Sequence, residues 1–158
     1  MKKIVLVLLL TLAILMPAVA GNSMVEKGDI SVGVSLGEPF GVTAKYGLGE
    51  DLIDGFDLTA EGVLGFGISN GLSVRGNLLW NYTEIAIDTV DLYPYVGAGL
   101  GLNFGSGFGM GLAFPIGISY YFEEYPIEVY AEIVPSFDIV PFGASIAGGI
   151  GGRYKLDM

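Results

Sequence analysis

The sequence predicts an all-β chain, an eight-stranded antiparallel up-and-down transmembrane β-barrel, and three observations predict it. Apolar residues alternate with small or polar residues at a period of two along the chain. Seven clusters of turn-forming residues divide the chain at fairly even intervals. The composition is 52% hydrophobic and only 15% charged, and the 26 glycines disfavour helices, so strands remain.

The first twenty residues have the pattern of a secretory signal peptide. Lys2 and Lys3 precede an apolar stretch, 4–16, and a small-residue cleavage pattern, 18–20. An uncleaved signal anchor is the alternative, although the apolar stretch is shorter than the ~20 residues of a spanning helix. We therefore expect a signal peptide over 1–20, a short segment over 21–27 and a barrel domain over 28–158.

The first four predicted strands put large side chains on one face and small or polar ones on the other. The apolar face contains Ile30, Val32, Val34 and Leu36; Phe40, Val42, Ala44, Tyr46 and Leu48; Phe56, Leu58, Ala60, Leu64 and Phe66; and Leu72, Val74, Leu78, Trp80 and Tyr82. The opposite face is rich in glycine, serine and threonine and includes isolated charges. Each strand thus has two distinct faces.

The same alternation continues through the last four predicted strands. Their apolar residues are Leu92, Pro94, Val96, Ala98, Leu100, Leu102 and Phe104; Met110, Leu112, Phe114, Ile116, Ile118, Tyr120 and Phe122; Ile127, Val129, Ala131, Ile133, Pro135, Phe137 and Ile139; and Phe142, Ala144, Ile146, Ile150, Tyr154 and Leu156. All eight strands therefore share one two-faced sheet.

The chemistry of the two faces predicts which one meets water. A soluble lipocalin-like barrel would expose the second face, yet a soluble surface is typically a quarter to a third charged. The large apolar side chains would also overfill an eight-stranded interior. If the apolar face meets lipid and the glycine-rich face lines a narrow interior, both difficulties disappear.

Outward aromatic residues fall near the strand ends, as in the aromatic girdles of membrane proteins. We assume periplasmic termini, which makes the turns near residues 38, 70, 106 and 140 external. The predicted external girdle contains Phe40, Phe66, Phe104, Phe137 and Phe142. The predicted periplasmic girdle contains Tyr46, Phe56, Trp80, Tyr82, Tyr120, Phe122 and Tyr154.

On these patterns the chain resembles small bacterial outer-membrane β-barrels such as OmpA and OmpX. The segments 115–121, 126–135 and 148–151 are similar to a family of uncharacterised bacterial barrels that includes spirochaetal surface proteins. Gly151, Tyr154 and Leu156 resemble the C-terminal signal that barrel-assembly machinery recognises. The resemblance implies an outer-membrane location, lipid as the surrounding partner and that machinery as a partner during biogenesis.

Isolated charges on the inward face form the candidate functional cluster. Counting ladder partners outward from the turns places Lys45 beside the stretch from Asp57 to Glu61, and Arg75 diagonal to Glu61. Glu128 falls near Arg153 across the last hairpin, and Glu132 on the seventh strand points across the lumen. We expect these charges to close the interior as a buried ionic cluster; the alternative is that water in the lumen solvates each charge separately.

The residue types present exclude several function classes. The chain has no histidine and no cysteine, which removes the usual nucleophile pairs, disulfides and many metal ligands. The net charge of −10 excludes a nucleic-acid partner. The glycines of 97–101 resemble a phosphate loop but have no following helix, so we interpret them as lumen-facing glycines. We expect no enzyme, cofactor or metal site.

The function expected from the sequence is a monomeric outer-membrane protein with a structural, membrane-anchoring role and a closed lumen. A narrow pore for ions or very small solutes is one alternative. A soluble periplasmic lipid-binding barrel is the other.

Overall fold

Strands make up most of the chain. The computed structural model describes residues 26–49, 56–68, 71–82, 85–87, 90–122 and 124–156, with the backbone alone for Phe56 and 85–87. The strands are β1 (Ile30–Gly37), β2 (Phe40–Gly49), β3 (Phe56–Gly67), β4 (Gly71–Tyr82), β5 (Ile85–Ile87), β6 (Val90–Phe104), β7 (Phe108–Ala113), β8 (Ile116–Tyr121), β9 (Ile127–Val140) and β10 (Gly143–Leu156). The predicted signal peptide, 1–20, lies outside the described residues.

The strands close into an antiparallel ring of eight positions. The strands β1, β2, β3, β4 and β6 pair in this order, β9 pairs with β10, and β1 also pairs with β10, which closes the ring. The segments β7 and β8 share one position, because both pair with β6 on one side and β9 on the other. The short β5 pairs with the start of β6 outside the ring. The predicted all-β, antiparallel architecture is confirmed.

The ring is staggered by ten residues. The ladder that starts at Ser31 runs through Lys45, Glu61 and each following strand to Ser145 on β10. In the direct β1–β10 pairing, however, Ser31 lies opposite Lys155, ten residues further along. With a rise of about 3.3 Å per residue and a strand spacing of about 4.8 Å, this stagger corresponds to a strand tilt of about 40°.

The sixth predicted strand is interrupted in the structure. Pro115 has no N–H to donate to a ladder, and it separates β7 from β8. Single hydrogen bonds on either side span the break, from Phe114 N to Pro135 O and from Gly97 N to Pro115 O. The alternation of faces continues across the break, which is why the sequence pattern alone predicts one continuous strand.

The two faces of the ring differ sharply in chemistry. Glu61 is 4% exposed and Arg75 is 7% exposed, so charged side chains are buried inside. Leu78, Phe114 and Ile133 are 43%, 43% and 55% exposed, so large apolar side chains lie on the outside. The sides of the wall are thus reversed relative to a soluble globular domain, in which apolar side chains fill the interior.

Two glycine substitutions test how tightly the ring closes. A Cβ added to Gly33 on β1 would meet the backbone of Gly152 and Arg153 on β10, whereas one added to Gly62 has no neighbour within 4 Å. We expect Gly33→Ala to lower the free energy of unfolding by about 1–3 kcal/mol, because backbone atoms at the β1–β10 seam must move apart.

The control is Gly62→Ala, which should change the free energy of unfolding by less than about 0.5 kcal/mol. Urea unfolding of both variants in lipid vesicles measures the difference. Equal losses in the two variants would mean that the seam is not tightly packed.

Candidate functional site in the lumen

Six buried charged residues form a cluster inside the ring, which we call the charge cluster. Its members are Lys45 on β2, Glu61 on β3, Arg75 on β4, Glu128 and Glu132 on β9, and Arg153 on β10. The cluster contains three cations and three carboxylates, so its formal charge is zero. This balance matters because an unpaired charge in a buried site is strongly unfavourable.

Glu128 is the centre of the larger part of the cluster. Its Oε1 accepts hydrogen bonds from Lys45 Nζ and Arg153 Nη1, both at 3.2 Å, and from Ser119 Oγ at 2.6 Å. Lys45 Nζ also donates to Asn81 Oδ1 at 3.3 Å and to Tyr121 OH at 3.1 Å. One carboxylate therefore joins strands on opposite sides of the lumen.

Arg153 uses all three of its guanidinium nitrogens. Besides Glu128, it donates from Nε to Thr43 Oγ1 at 3.2 Å and from Nη2 to Glu61 Oε1. Its Cζ lies 3.9 Å from the centroid of the Tyr130 ring. The second oxygen of Glu61 accepts from Asn77 Nδ2 at 2.6 Å. Arg153 thereby links β2, β3 and β9 from its position on β10.

Arg75 and Glu132 form a separate pair. Arg75 Nη2 lies 2.6 Å from Glu132 Oε1, and Tyr95 OH donates to Glu132 Oε2 at 3.0 Å. Both charged side chains are buried, on β4 and β9. This pair crosses the lumen without contacting the Glu128 group through any hydrogen bond between described residues.

The structure brings the predicted residues together with different partners. The ladder partner of Lys45 is Glu61, at one end of the predicted stretch from Asp57 to Glu61, but the Lys45 ammonium contacts Glu128 across the lumen. Arg75 contacts Glu132 rather than Glu61. Glu128 and Arg153 are ladder partners and also an ion pair, as expected.

Neutral polar residues complete the cluster, and the sequence reasoning did not assign them to it. They are Thr43, Asn77, Asn81, Tyr95, Ser119 and Tyr121. All lie on the inward face of their strands, at positions that alternate with outward-facing residues. That shared face was the available signal, because a buried charge needs such hydrogen-bond partners.

A double substitution tests how the isolated pair contributes to stability. Replacing both members, as Arg75→Met with Glu132→Leu, should leave the free energy of unfolding within about 1 kcal/mol of the original, because no charge remains unpaired. Arg75→Met alone should lose about 2–3 kcal/mol, because it leaves the Glu132 carboxylate without its cation. Urea unfolding gives both losses. An equal loss in the double and the single variant would contradict the expectation that the cost of Arg75→Met comes from leaving the Glu132 carboxylate unpaired.

A polar cavity of about 480 Å³ opens from one end of the ring into the lumen, and we call it the vestibule. Its floor includes Arg75, and its mouth includes the β1–β2, β6–β7 and β9–β10 turns. The side chains that give it polar character are Glu38, Ser73, Asn103, Ser136, Asp138 and Ser145. This is the end that the sequence analysis assigned to the cell exterior.

At the opposite end, ion pairing joins the terminal strands. Lys155 Nζ lies 2.7 Å from Asp29 Oδ2, just before β1 begins. Burial raises the pKa of the Asp29 carboxyl, but the hydrogen bonds from Lys155 and from Glu26 N outweigh it, so this pKa lies below its usual value. The pair is partly exposed and contributes little to stability on its own.

The predicted girdle residues lie on the outer face near the two ends of the ring. Phe40 pairs with Phe66 in the ladder, and Phe137 and Phe142 contact with ring centroids 5.3 Å apart. At the other end, Tyr120 and Phe122 contact at 4.9 Å. Exposed members are Phe40, Phe66, Phe104, Phe137, Phe142, Tyr46, Tyr82 and Tyr154, while Trp80, Tyr120 and Phe122 are half-buried. The side chain of Phe56 lies outside the described residues.

Comparisons with protein-family models, with curated proteins and with solved structures found no match to this chain. Nothing in them points to catalytic activity. Among the described residues, no group of three or more histidine, cysteine, aspartate or glutamate residues could hold a metal ion. No helix in the described part of the chain is long and apolar enough to cross a membrane.

Proposed function

We propose that the chain is a small eight-stranded β-barrel that spans a bacterial outer membrane. Its role is structural and membrane-anchoring, and the charge cluster closes its lumen. In this proposal residues 1–20 are removed on export, and the barrel is a monomer of the kind that OmpA and OmpX represent.

The observation that carries the proposal is the reversed sidedness of the wall. Exposed large apolar side chains occur on every strand of the ring, while the buried interior holds the six charges. In water such a continuous apolar surface would be a strong aggregation liability. Against acyl chains it is the surface that a transmembrane barrel presents.

The filled interior favours a closed lumen over an open channel. Arg153, Tyr95, Lys45, Leu79 and Val134 are among the fully buried side chains that project inward. The hydrogen bonds and ion pairs of Arg153, Tyr95 and Lys45 connect different strands across the interior, so an ion entering from the vestibule meets a packed layer. A structural role is therefore favoured over a transport role.

A narrow pore is the second candidate, and one specific observation favours it. The vestibule already opens the lumen from one end as far as Arg75. Single-channel recording of purified, refolded protein in planar bilayers separates the two candidates. A closed barrel gives no discrete conductance steps, whereas a pore gives reproducible ones that change in Arg75→Met.

A soluble lipid carrier is disfavoured by the polarity of the interior. Such a carrier needs an apolar cavity to hold its ligand. Here the buried residues include Lys45, Glu61, Arg75 and Arg153, and the cavity that reaches the lumen is lined by polar residues such as Ser73, Asn103 and Asp138 as well as by apolar ones such as Leu112 and Val140. An apolar ligand there would remove water from these polar and charged groups without replacing their hydrogen bonds.

The last strand supports the proposed partnership with barrel-assembly machinery. Tyr154 and Leu156 lie exposed on the outer face of β10, and Gly151 packs beneath Tyr130 on the inner face. An outward aromatic and apolar pair at the end of the final strand is accessible before the β1–β10 seam closes.

Cell fractionation combined with gel mobility tests the proposal. The full chain, expressed in a bacterium with an outer membrane, should sediment with outer membranes, require detergent for extraction and migrate differently before and after boiling. Recovery in the detergent-free periplasmic fraction, with one mobility, would instead support the soluble carrier.

A further inference from the structure

A row of four residues in the vestibule places opposite charges at the two ends of a bare stretch of wall. Arg75 pairs with Gly101, Gly101 with Gly111, and Gly111 with Asp138. All four residues line the vestibule. Because the two middle residues have no side chain, nothing on this row fills the space between the guanidinium and the carboxylate.

Arg75 keeps donors available at the vestibule floor. A guanidinium has five N–H donors. Arg153 uses Nε, Nη1 and Nη2 on three protein acceptors. Among the described residues, Arg75 makes only the bond from Nη2 to Glu132, and its Nε has no partner although the residue is 7% exposed. An incoming acceptor would therefore meet a buried guanidinium that is paired with Glu132 through one nitrogen and has N–H donors left over.

The other end of the row carries the negative charge. Asp138 is half-buried on β9, and its Oδ1 lies 2.8 Å from the position that a Cβ on Gly111 would occupy. The carboxylate therefore extends over the glycine toward the open space. A Cβ on Gly101 would have no neighbour within 4 Å, so the space beside Arg75 is open as well.

We propose that the vestibule binds a small zwitterion, with its carboxylate toward Arg75 and its ammonium toward Asp138. The neutral polar residues Ser73, Asn103 and Ser136 line the cavity around this row and can hydrogen-bond the body of the ligand. A pure anion would meet the repulsion of Asp138 and Glu132, and of Glu38 at the mouth, and a pure cation would leave the remaining N–H donors of Arg75 unused.

The dimensions of the row fit a ligand of one or two amino-acid residues. Three strand spacings separate the Arg75 and Asp138 backbones, about 14 Å along the wall. The arginine side chain covers part of this span, and an extended chain of one to two residues is about 3.5–7 Å long. The cavity volume of about 480 Å³ is within the usual range for small-molecule sites.

Three related dipeptides test the proposal on the purified full chain refolded in a non-ionic detergent. Alanyl-alanine carries both charges, its N-acetyl form lacks the ammonium, and its C-terminal amide lacks the carboxylate. In NMR titrations that follow the Gly101 and Gly111 amides, alanyl-alanine should bind about tenfold more tightly than either blocked form, because each loses one charge-assisted contact.

Two substitutions, with a matched control, test which protein charge contacts which end of the ligand. Asp138→Asn should remove the preference for alanyl-alanine over the N-acetyl form. Asp29→Asn makes the same charge change at the opposite end of the ring and should leave this preference unchanged. The double variant Arg75→Met with Glu132→Leu, which removes a charge-balanced pair, should remove the preference over the amide.

Absence of binding, equal binding of the three peptides, or equal loss in Asp138→Asn and Asp29→Asn would overturn the proposal. The test does not depend on the proposed membrane location, because it uses the isolated protein. A protein that fractionates as soluble can therefore still bind the dipeptide, and one that fractionates with membranes can still fail to bind it.

Discussion

Arg153→Met is expected to lower the free energy of unfolding by about 3–5 kcal/mol. The substitution keeps a long apolar side chain over Tyr130 but removes the cation from Glu61 and Glu128 at once. Glu61 then has no ion-pair partner among the described residues, and Glu128 keeps only Lys45. Urea unfolding in lipid vesicles, followed by the fluorescence of the single tryptophan, Trp80, measures the loss.

The matched control lies two residues further along the same strand. Lys155→Met removes a cation that pairs with Asp29 in a partly exposed setting, and it should lose no more than about 1 kcal/mol. A small effect of Arg153→Met, equal to that of Lys155→Met, would show that lumen water solvates the charges separately and that no cluster holds the interior together.

Leu100→Arg is expected to lower the free energy of unfolding in lipid vesicles by about 2–4 kcal/mol. Leu100 lies on the outer face of β6, in a ladder row with Gly76 and Gly62, near the middle of the wall. If this face contacts acyl chains, an arginine there must bring its charge into the hydrocarbon layer. In a water-exposed wall the same substitution would be nearly neutral.

The control for this prediction is an arginine substitution at one end of the wall rather than near its middle. Phe142 lies in the turn between β9 and β10 and is 82% exposed. Phe142→Arg should lose at most about 1 kcal/mol, because a charge near the interface remains hydrated. Equal losses for the two arginine substitutions would contradict a lipid-facing wall. Both are measured by urea unfolding in the same vesicles.

The wall of the fold was predictable from the sequence because strand side chains alternate with a period of two. Once Leu78 is assigned to one face, Leu79 and Asn77 belong to the other, and the structure buries both. Turn residues such as Gly37 to Pro39 then fix the ends of each hairpin. Local pattern and local turn chemistry therefore determine the strands and their faces.

The contacts inside the lumen were less predictable, because they depend on the stagger of the whole ring. Lys45 and Glu61 are ladder neighbours, yet the lysine side chain reaches Glu128 across the lumen. The contacts across the interior depend on the registers of all the strand pairs around the ring. A sequence pattern gives each hairpin register only approximately, and small errors accumulate around the ring.

Two smaller differences have local causes. Pro115 lies in the alternating pattern but cannot donate a ladder hydrogen bond, so one predicted strand becomes β7 and β8. The segment between β4 and β6 adds the short strand β5, which pairs with Val90 to Leu92. The alternating pattern indicates which face of the sheet a residue occupies. It does not indicate whether the backbone hydrogen bonds of that residue are formed.

Two tryptophan positions distinguish a wall whose outer face contacts lipid from one whose outer face contacts water. In a Trp80→Phe background, Leu100→Trp places the reporter on the outer face, and Gly101→Trp places it in the open space of the vestibule. With bromine on the acyl chains of the vesicle lipids, we expect strong quenching of the tryptophan at position 100 and little quenching at position 101. Quenching at position 101 with none at position 100, or at neither position, would contradict it.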